Sequence, residues 1–263
     1  MLNPASADKR LRNLDNPLLV SGVFLAASAL YLHGAFRSEY AYGDARFVVD
    51  YFATEMQVTI LLALTTITLF PADRIGLRWP QLANVRQSLP ALTLALGALA
   101  AWGAARLTAQ DLVVVDNTLS LKVLRTTLLV GLTEEWIFRG LLLAALCRGL
   151  GLRRGAVTAL VLFGFFHLTN IAAGAPVTNS LAQAFSTMLI GSVFMLAAIG
   201  TRSLAVPVLA HGSYDFAVFD IGTFVQAGGN PFPMAVVLAV GLVTGIISLI
   251  GIARLHGPEP FLP

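Results

Sequence analysis

The sequence predicts an all-α protein, a polytopic membrane helical bundle of about eight transmembrane helices that forms a single domain over residues 1–263. Three observations carry this. Of 263 residues, 57% are hydrophobic and only 12% charged, against about 25% charged in ordinary soluble domains. The apolar residues are gathered into runs near the ~20 residues that a helix needs to cross a ~30 Å hydrocarbon core. Lys and Arg fall almost wholly between those runs and alternate in density from one connection to the next.

The runs, bounded by charge, Pro or Gly, predict helices in the following order. Helix 17–36 lies between the Lys9, Arg10, Arg12 cluster and Arg37. It is longer than the ~7–15 residue core of a secretory signal and reads as a first span. Helix 52–71 runs from Asp50 toward Arg74, helix 88–105 from Arg86 to Arg106, and helix 119–147 ends at Arg148. Helix 155–171 starts after Arg153 and Arg154, and helix 180–200 stops before Arg202. The last two are 203–218 and 233–253, the latter ending at Arg254. Gly241 and Gly245 give it a small-xxx-small pair suited to close helix packing.

With the N-terminus on the cytoplasmic side, eleven Lys and Arg fall in cytoplasmic segments and three, Arg37, Arg46 and Arg106, on the other side. Retention of positive charge in the cytoplasm produces such a split, so both termini are expected inside a cell membrane, by composition a bacterial one. In a membrane protein the +3 net charge serves topology. No nucleic-acid partner is expected, and the partners are the bilayer and a protein or peptide substrate. Tyr40, Tyr42 and Tyr51, with Glu39, Asp44 and Asp50, read as an interfacial segment with aromatic anchors.

Three of these helices carry ionisable groups at mid-length: Glu134, Glu135 and Arg139 in EEWIFRG, His167 in FGFFHLTN, and His211 and Asp215 in HGSYDF. A charge at the centre of a span costs roughly 2.5–3.5 kcal/mol when it faces lipid, so these groups are expected to face one another or a wet cavity. Glu134 lies 14 residues before Arg148, His167 13 after Arg154 and His211 9 after Arg202. At ~1.5 Å per residue the depths are roughly 21, 20 and 14 Å from the basic ends, which predicts one site between 119 and 218.

Helical angles sort the roles. Glu135 and Arg139, at i and i+4, stand ~40° apart and can pair, whereas Glu134 lies ~100° from Glu135 and ~140° from Arg139. Glu134 is therefore the freer carboxylate, suited to general acid/base work. Phe163 and Asn170 share a face with His167, and Asp215, four residues after His211, can orient that imidazole. His33 and His256 read as interfacial, Asp220 as a helix terminus, and Cys147 as a small buried hydrophobe.

These motifs resemble the CPBP intramembrane proteases, which include CAAX prenyl endopeptidases and bacterial Abi proteins. Glu134, Glu135 and Arg139 fit EExxxR, Phe163 and His167 fit FxxxH, and His211 and Asp215 fit HxxxN/D. The resemblance covers about 119–218. It implies a glutamate-type, metal-independent endopeptidase in which Glu134 and His167 activate water while His211 and Asp215 serve the oxyanion, with Glu135 and Arg139 in support. No cofactor and no metal are expected. An ionised Asp215 cannot donate a hydrogen bond as Asn does, so it is expected to orient His211 or stay protonated.

Two other classes fit the same groups. A zinc hydrolase has enough N and O donors here, although the two-ligand HExxH motif is absent. A non-catalytic membrane protein, whether a transporter or proton relay or a silent binding protein that retains the pocket, also carries buried Glu, His and Asp. Because charged loops favour a hydrated funnel, the cavity is expected to open to the cytoplasm, on the basic side, or laterally toward that leaflet, with cleavage in cytoplasmic or juxtamembrane segments.

Overall fold

A computed structural model describes residues 4–40, 42–108 and 117–256. Each of the eight apolar runs is a helix near its predicted bounds. Two short helices, α1 (Pro4–Asn13) and α3 (Ala45–Asp50), flank the first long ones, α2 (Pro17–Arg37) and α4 (Phe52–Leu69). Then come α5 (Leu89–Thr108), α6 (Asn117–Glu135), α7 (Leu143–Leu150) and α8 (Leu152–Phe166), followed by α9 (Val177–Thr201), α10 (Ala205–Gln226) and α11 (Phe232–Ala253). Six helices among the described residues are long and apolar enough to cross a membrane. The other two long stretches, 117–150 and α10, carry Glu134, Glu135, Arg139, His211 and Asp215, all of the mid-length ionisable groups read from the sequence except His167.

The predicted helix 119–147 is interrupted. Between α6 and α7, Trp136–Leu142 forms a wide π-helical turn, which inserts a residue into the α repeat and rotates everything after it by ~100°. Glu134 and Glu135 end α6, and Arg139 sits inside the π turn. Gly151, at φ +77°, makes the tight reversal into α8, a conformation that favours glycine. At α2, Asn16 Oδ1 accepts from the amides of Leu18 and Leu19 at 3.1 and 3.3 Å, and Pro17 fills the first position.

Packing follows lipid rules. Large apolar side chains such as Leu18, Leu242, Val243 and Ile247 point outward, and much of the interior is alanine and glycine, since close backbone approach, not water exclusion, joins helices in a bilayer. α10 packs against α5, α6, α9 and α11. Its crossing with α6 is backbone on backbone. A Cβ on Gly131 would stand 2.8 Å from the Val208 carbonyl oxygen, and one on Gly212 2.9 Å from Leu128 Cα. Gly245 packs on Leu189 and Gly241 on Ile190, fastening α11 to α9.

The connections gather at two ends. At the basic end, Gln81 N donates to Thr201 O (2.8 Å) and Leu204 N to Gly76 O (2.9 Å). There Arg148 also donates to both carboxylate oxygens of Asp15, which holds that carboxyl below its ordinary range. At the opposite end the Tyr42 amide donates to the Ala173 carbonyl, tying segment 38–51 to segment 171–176.

Asp220 corrects the sequence reading. It is 1% exposed, inside α10, and accepts from Trp102 Nε1 and Ser120 Oγ, both at 2.7 Å. It joins α5, α6 and α10. Helix α10 runs eight residues beyond its predicted end at 218, because a buried carboxylate with two donors need not terminate a span.

Candidate active site

The α6–α10 crossing brings Glu134, Glu135 and His211 together. Glu135 Oε1 accepts from Arg139 Nη1 and meets His211 Nδ1, both at 2.9 Å. His211 Nε2 lies 3.3 Å from Asp215 Oδ2 and 3.8 Å from Glu134 Oε2. Phe194 stacks on the imidazole at 4.6 Å. Each ring nitrogen of His211 thus has a carboxylate acceptor, and the ring plane is held by an aromatic face.

Arg139 is fully buried. Besides Glu135 it donates to Gly191 O at 2.8 Å and lies over the Phe163 ring at 4.0 Å. A Cβ at residue 191 would stand 2.6 Å from Arg139 Nη2, so a glycine there is what admits the guanidinium. The i, i+4 pairing of Glu135 with Arg139 is present as expected. The sequence did not reveal that the same carboxylate oxygen also takes His211, 76 residues further on. Glu135 is a hub.

His167 begins the 3-10 turn that closes α8. Its Nδ1 is 2.8 Å from the Phe163 carbonyl oxygen. A carbonyl only accepts, so Nδ1 carries the proton and Nε2 is left as the acceptor in the neutral ring. Phe163 stands edge-on to both His167 and His211, at 4.8 and 6.1 Å.

All four predicted catalytic side chains, Glu134, His167, His211 and Asp215, line one cavity of about 290 Å³. Asp215 is the more open of the His211 partners, 21% exposed against 9% for Glu134. Glu134 Oε2 is buried without a hydrogen-bond partner among the described residues. Among the same residues no three His, Cys, Asp or Glu are arranged to hold a metal ion.

The chain's N-terminal third also contributes, which the sequence reading missed. Glu55 on α4, 1% exposed, lines the cavity and accepts from Thr133 Oγ1 at 2.5 Å, with Tyr31 Oη 3.3 Å away. Tyr31 donates in turn to Thr133 at 2.8 Å, and Thr133 adjoins Glu134. In sequence Glu55 stands in the first turn of a helix, where an acid is ordinary. An ionisable residue inside an apolar run was the available signal. Tyr42 and Tyr51 turn inward as well: both line the cavity, and Tyr51 stacks on Phe47 and Tyr31. Only Tyr40 keeps the outer position expected of the three, with Arg46 over its ring.

The cavity does not sit at the basic end. Tyr42, Phe47, Tyr51, Asn170 and Gln183, all from the opposite half of the bundle, line it. The depths counted above already contained this correction, because ~20 Å from one face of a ~30 Å core is past its middle.

Residues 116–217 match the family model described as type II CAAX prenyl endopeptidase Rce1-like. The match bears out the resemblance read from the three motifs and supports, in general terms, an intramembrane protease of the CAAX type. No curated protein and no solved structure matches the chain.

Proposed function

We propose, from that similarity, that this chain is a glutamate-type endopeptidase that hydrolyses peptide bonds of membrane-associated proteins or peptides. The single observation that supports it most is that two unlike groups line one cavity: a carboxylate, Glu134, with an oxygen that has no hydrogen-bond donor among the described residues, and an imidazole, His167, whose Nδ1 is committed to a carbonyl so that Nε2 is left as an acceptor.

In this reading Glu134 takes one proton from water while His167 Nε2 accepts a hydrogen bond from the other water hydrogen, which stays on the oxygen. The water oxygen adds to the scissile carbonyl carbon. His211 Nε2–H donates to the resulting oxyanion, a contact worth about 2.7–4 kcal/mol in comparable sites. The C–N bond then breaks, and Glu134 returns its proton to the leaving nitrogen. Glu135 positions His211 through Nδ1 and fixes Arg139, and Asp215 accepts from Nε2–H in the resting site and yields that hydrogen to the oxyanion as its charge forms.

Mass spectrometry of membrane proteins and small peptides from cells expressing wild type or Glu134→Gln tests the reading. Peptides with new termini that are present only with wild type are expected, and identical peptide profiles would reject it. Chelators are expected to leave cleavage of such a peptide unchanged, because the charge stabilisation is assigned to His211 and the proton transfer to Glu134. Loss of turnover on chelation, restored by stoichiometric zinc, would favour the metal hydrolase instead.

A further inference from the structure

The cavity is displaced along the bundle axis. Its lining draws on Tyr42, Phe47, Val48 and Tyr51, the last residues of α8 and its closing turn, and residues 183–194 in the middle of α9; none of its lining residues comes from 71–88, 148–154 or 201–204, the connections at the basic end. That end gathers eleven Lys and Arg, against three in the connections of the other, and positive charge is retained on the cytoplasmic side. We infer that the cavity opens away from the cytoplasm and receives its peptide from the outer leaflet, sideways between α9 and α11.

The side opening follows from exposure. Among the lining residues only Ser186 on α9 and Leu238 on α11 are exposed. Nearer the basic end the same two helices are fastened, with Gly245 against Leu189, Gly251 against Leu196, and Ser192 Oγ donating to the Gly245 carbonyl at 3.1 Å. Above the mouth, Tyr42 and Phe47 cover the cavity, and the Tyr42–Ala173 hydrogen bond closes that cover onto the 171–176 segment. A chain entering over the top would have to break this contact, whereas one in the hydrocarbon region meets Ser186 and Leu238 directly.

The walls state what enters. Phe163, Phe166, Tyr214 and Phe219 offer apolar faces, while Asn170, Gln183 and Asp215 supply a polar edge on which water and an unwound backbone find partners. The substrate class is therefore the outer juxtamembrane or membrane-lodged segment of an exported peptide or membrane protein, with apolar side chains flanking the cut. A cytoplasmic tail does not reach this mouth. The substrate part rests on the peptidase reading; the route does not.

Single cysteines in a Cys147→Ser background test the route without any turnover assay. Val177→Cys, exposed at the first turn of α9, marks the end of the bundle on which the cavity lies, Arg153→Cys the basic end, and Ser186→Cys the mouth, each in the full-length membrane protein. The first two are probed with a membrane-impermeant sulfonated maleimide on right-side-out and on inverted membrane vesicles; the third carries a fluorophore and is probed with phospholipids spin-labelled on the acyl chain. Val177→Cys is expected to react in right-side-out vesicles and Arg153→Cys in inverted ones, and the fluorophore at Ser186→Cys is expected to be quenched by the spin-labelled lipid. Reaction of Val177→Cys and Arg153→Cys from the same side would overturn the inference, as would reaction of Arg153→Cys from the outside. A fluorophore at Ser186→Cys that no lipid quenches would equally overturn it, since the mouth would then be closed to the hydrocarbon region. An outward-opening protein that yields no cleaved peptides would reject the peptidase reading and leave the route standing.

Discussion

Glu134→Gln is expected to reduce peptide hydrolysis by about 10²–10⁴-fold, the usual contribution of a positioned general base, while leaving the fold intact. The substitution keeps the size of the side chain. It removes a carboxylate whose Oε2 has no hydrogen-bond donor among the described residues and whose nearest imidazole nitrogen is 3.8 Å away. Little native structure depends on that charge. Turnover of a peptide identified by mass spectrometry, measured beside thermal unfolding in the same detergent, separates the two effects. Wild-type turnover in Glu134→Gln would sink the assignment of this residue as the base.

Glu135→Gln should do the reverse in proportion: a loss of about 3–5 kcal/mol of stability, the range for breaking a buried ion pair by removing one partner, with activity falling as a consequence. Glu135 Oε1 meets Arg139 and His211 together, and Arg139 is fully buried. Neutralising the carboxylate strands the guanidinium in a site that water does not reach. Adding Arg139→Met should restore part of the loss, because removing both members of a buried pair costs far less than removing one. Thermal unfolding of wild type, both single variants and the double variant completes the cycle. Strict additivity would mean that Glu135 and Arg139 do not act as a unit. The neighbouring Glu55 provides a contrast: its described hydrogen bonds come from hydroxyls, Thr133 and Tyr31, and no cation pairs with it among the described residues.

By itself the sequence determined the solvent, the elements and the identity of most polar groups. A chain 57% hydrophobic and 12% charged has one solution in a bilayer, helices that satisfy their own backbones, and their limits are written in the charges between runs. The cost of a charge in lipid made Glu134, Glu135, Arg139, His167, His211 and Asp215 legible without any fold. Which groups touch was another matter. In water, apolar periodicity separates the inner from the outer face of a helix, but in lipid both faces are apolar, so the pattern does not say what Tyr42, Tyr51 or Glu55 confronts. Tertiary structure decided that, chiefly where Gly131 and Gly212 let α6 and α10 meet backbone to backbone. That contact delivers His211 to Glu135 across 76 residues of sequence. The π turn at Trp136–Leu142 resets the register beyond it, and the packing of segment 38–51 over α4 and α6 turns a helix-terminal acid into a buried wall of the cavity. Close approach between helices depends on which small residues face each other, and that is a property of pairs of helices which neither helix records alone.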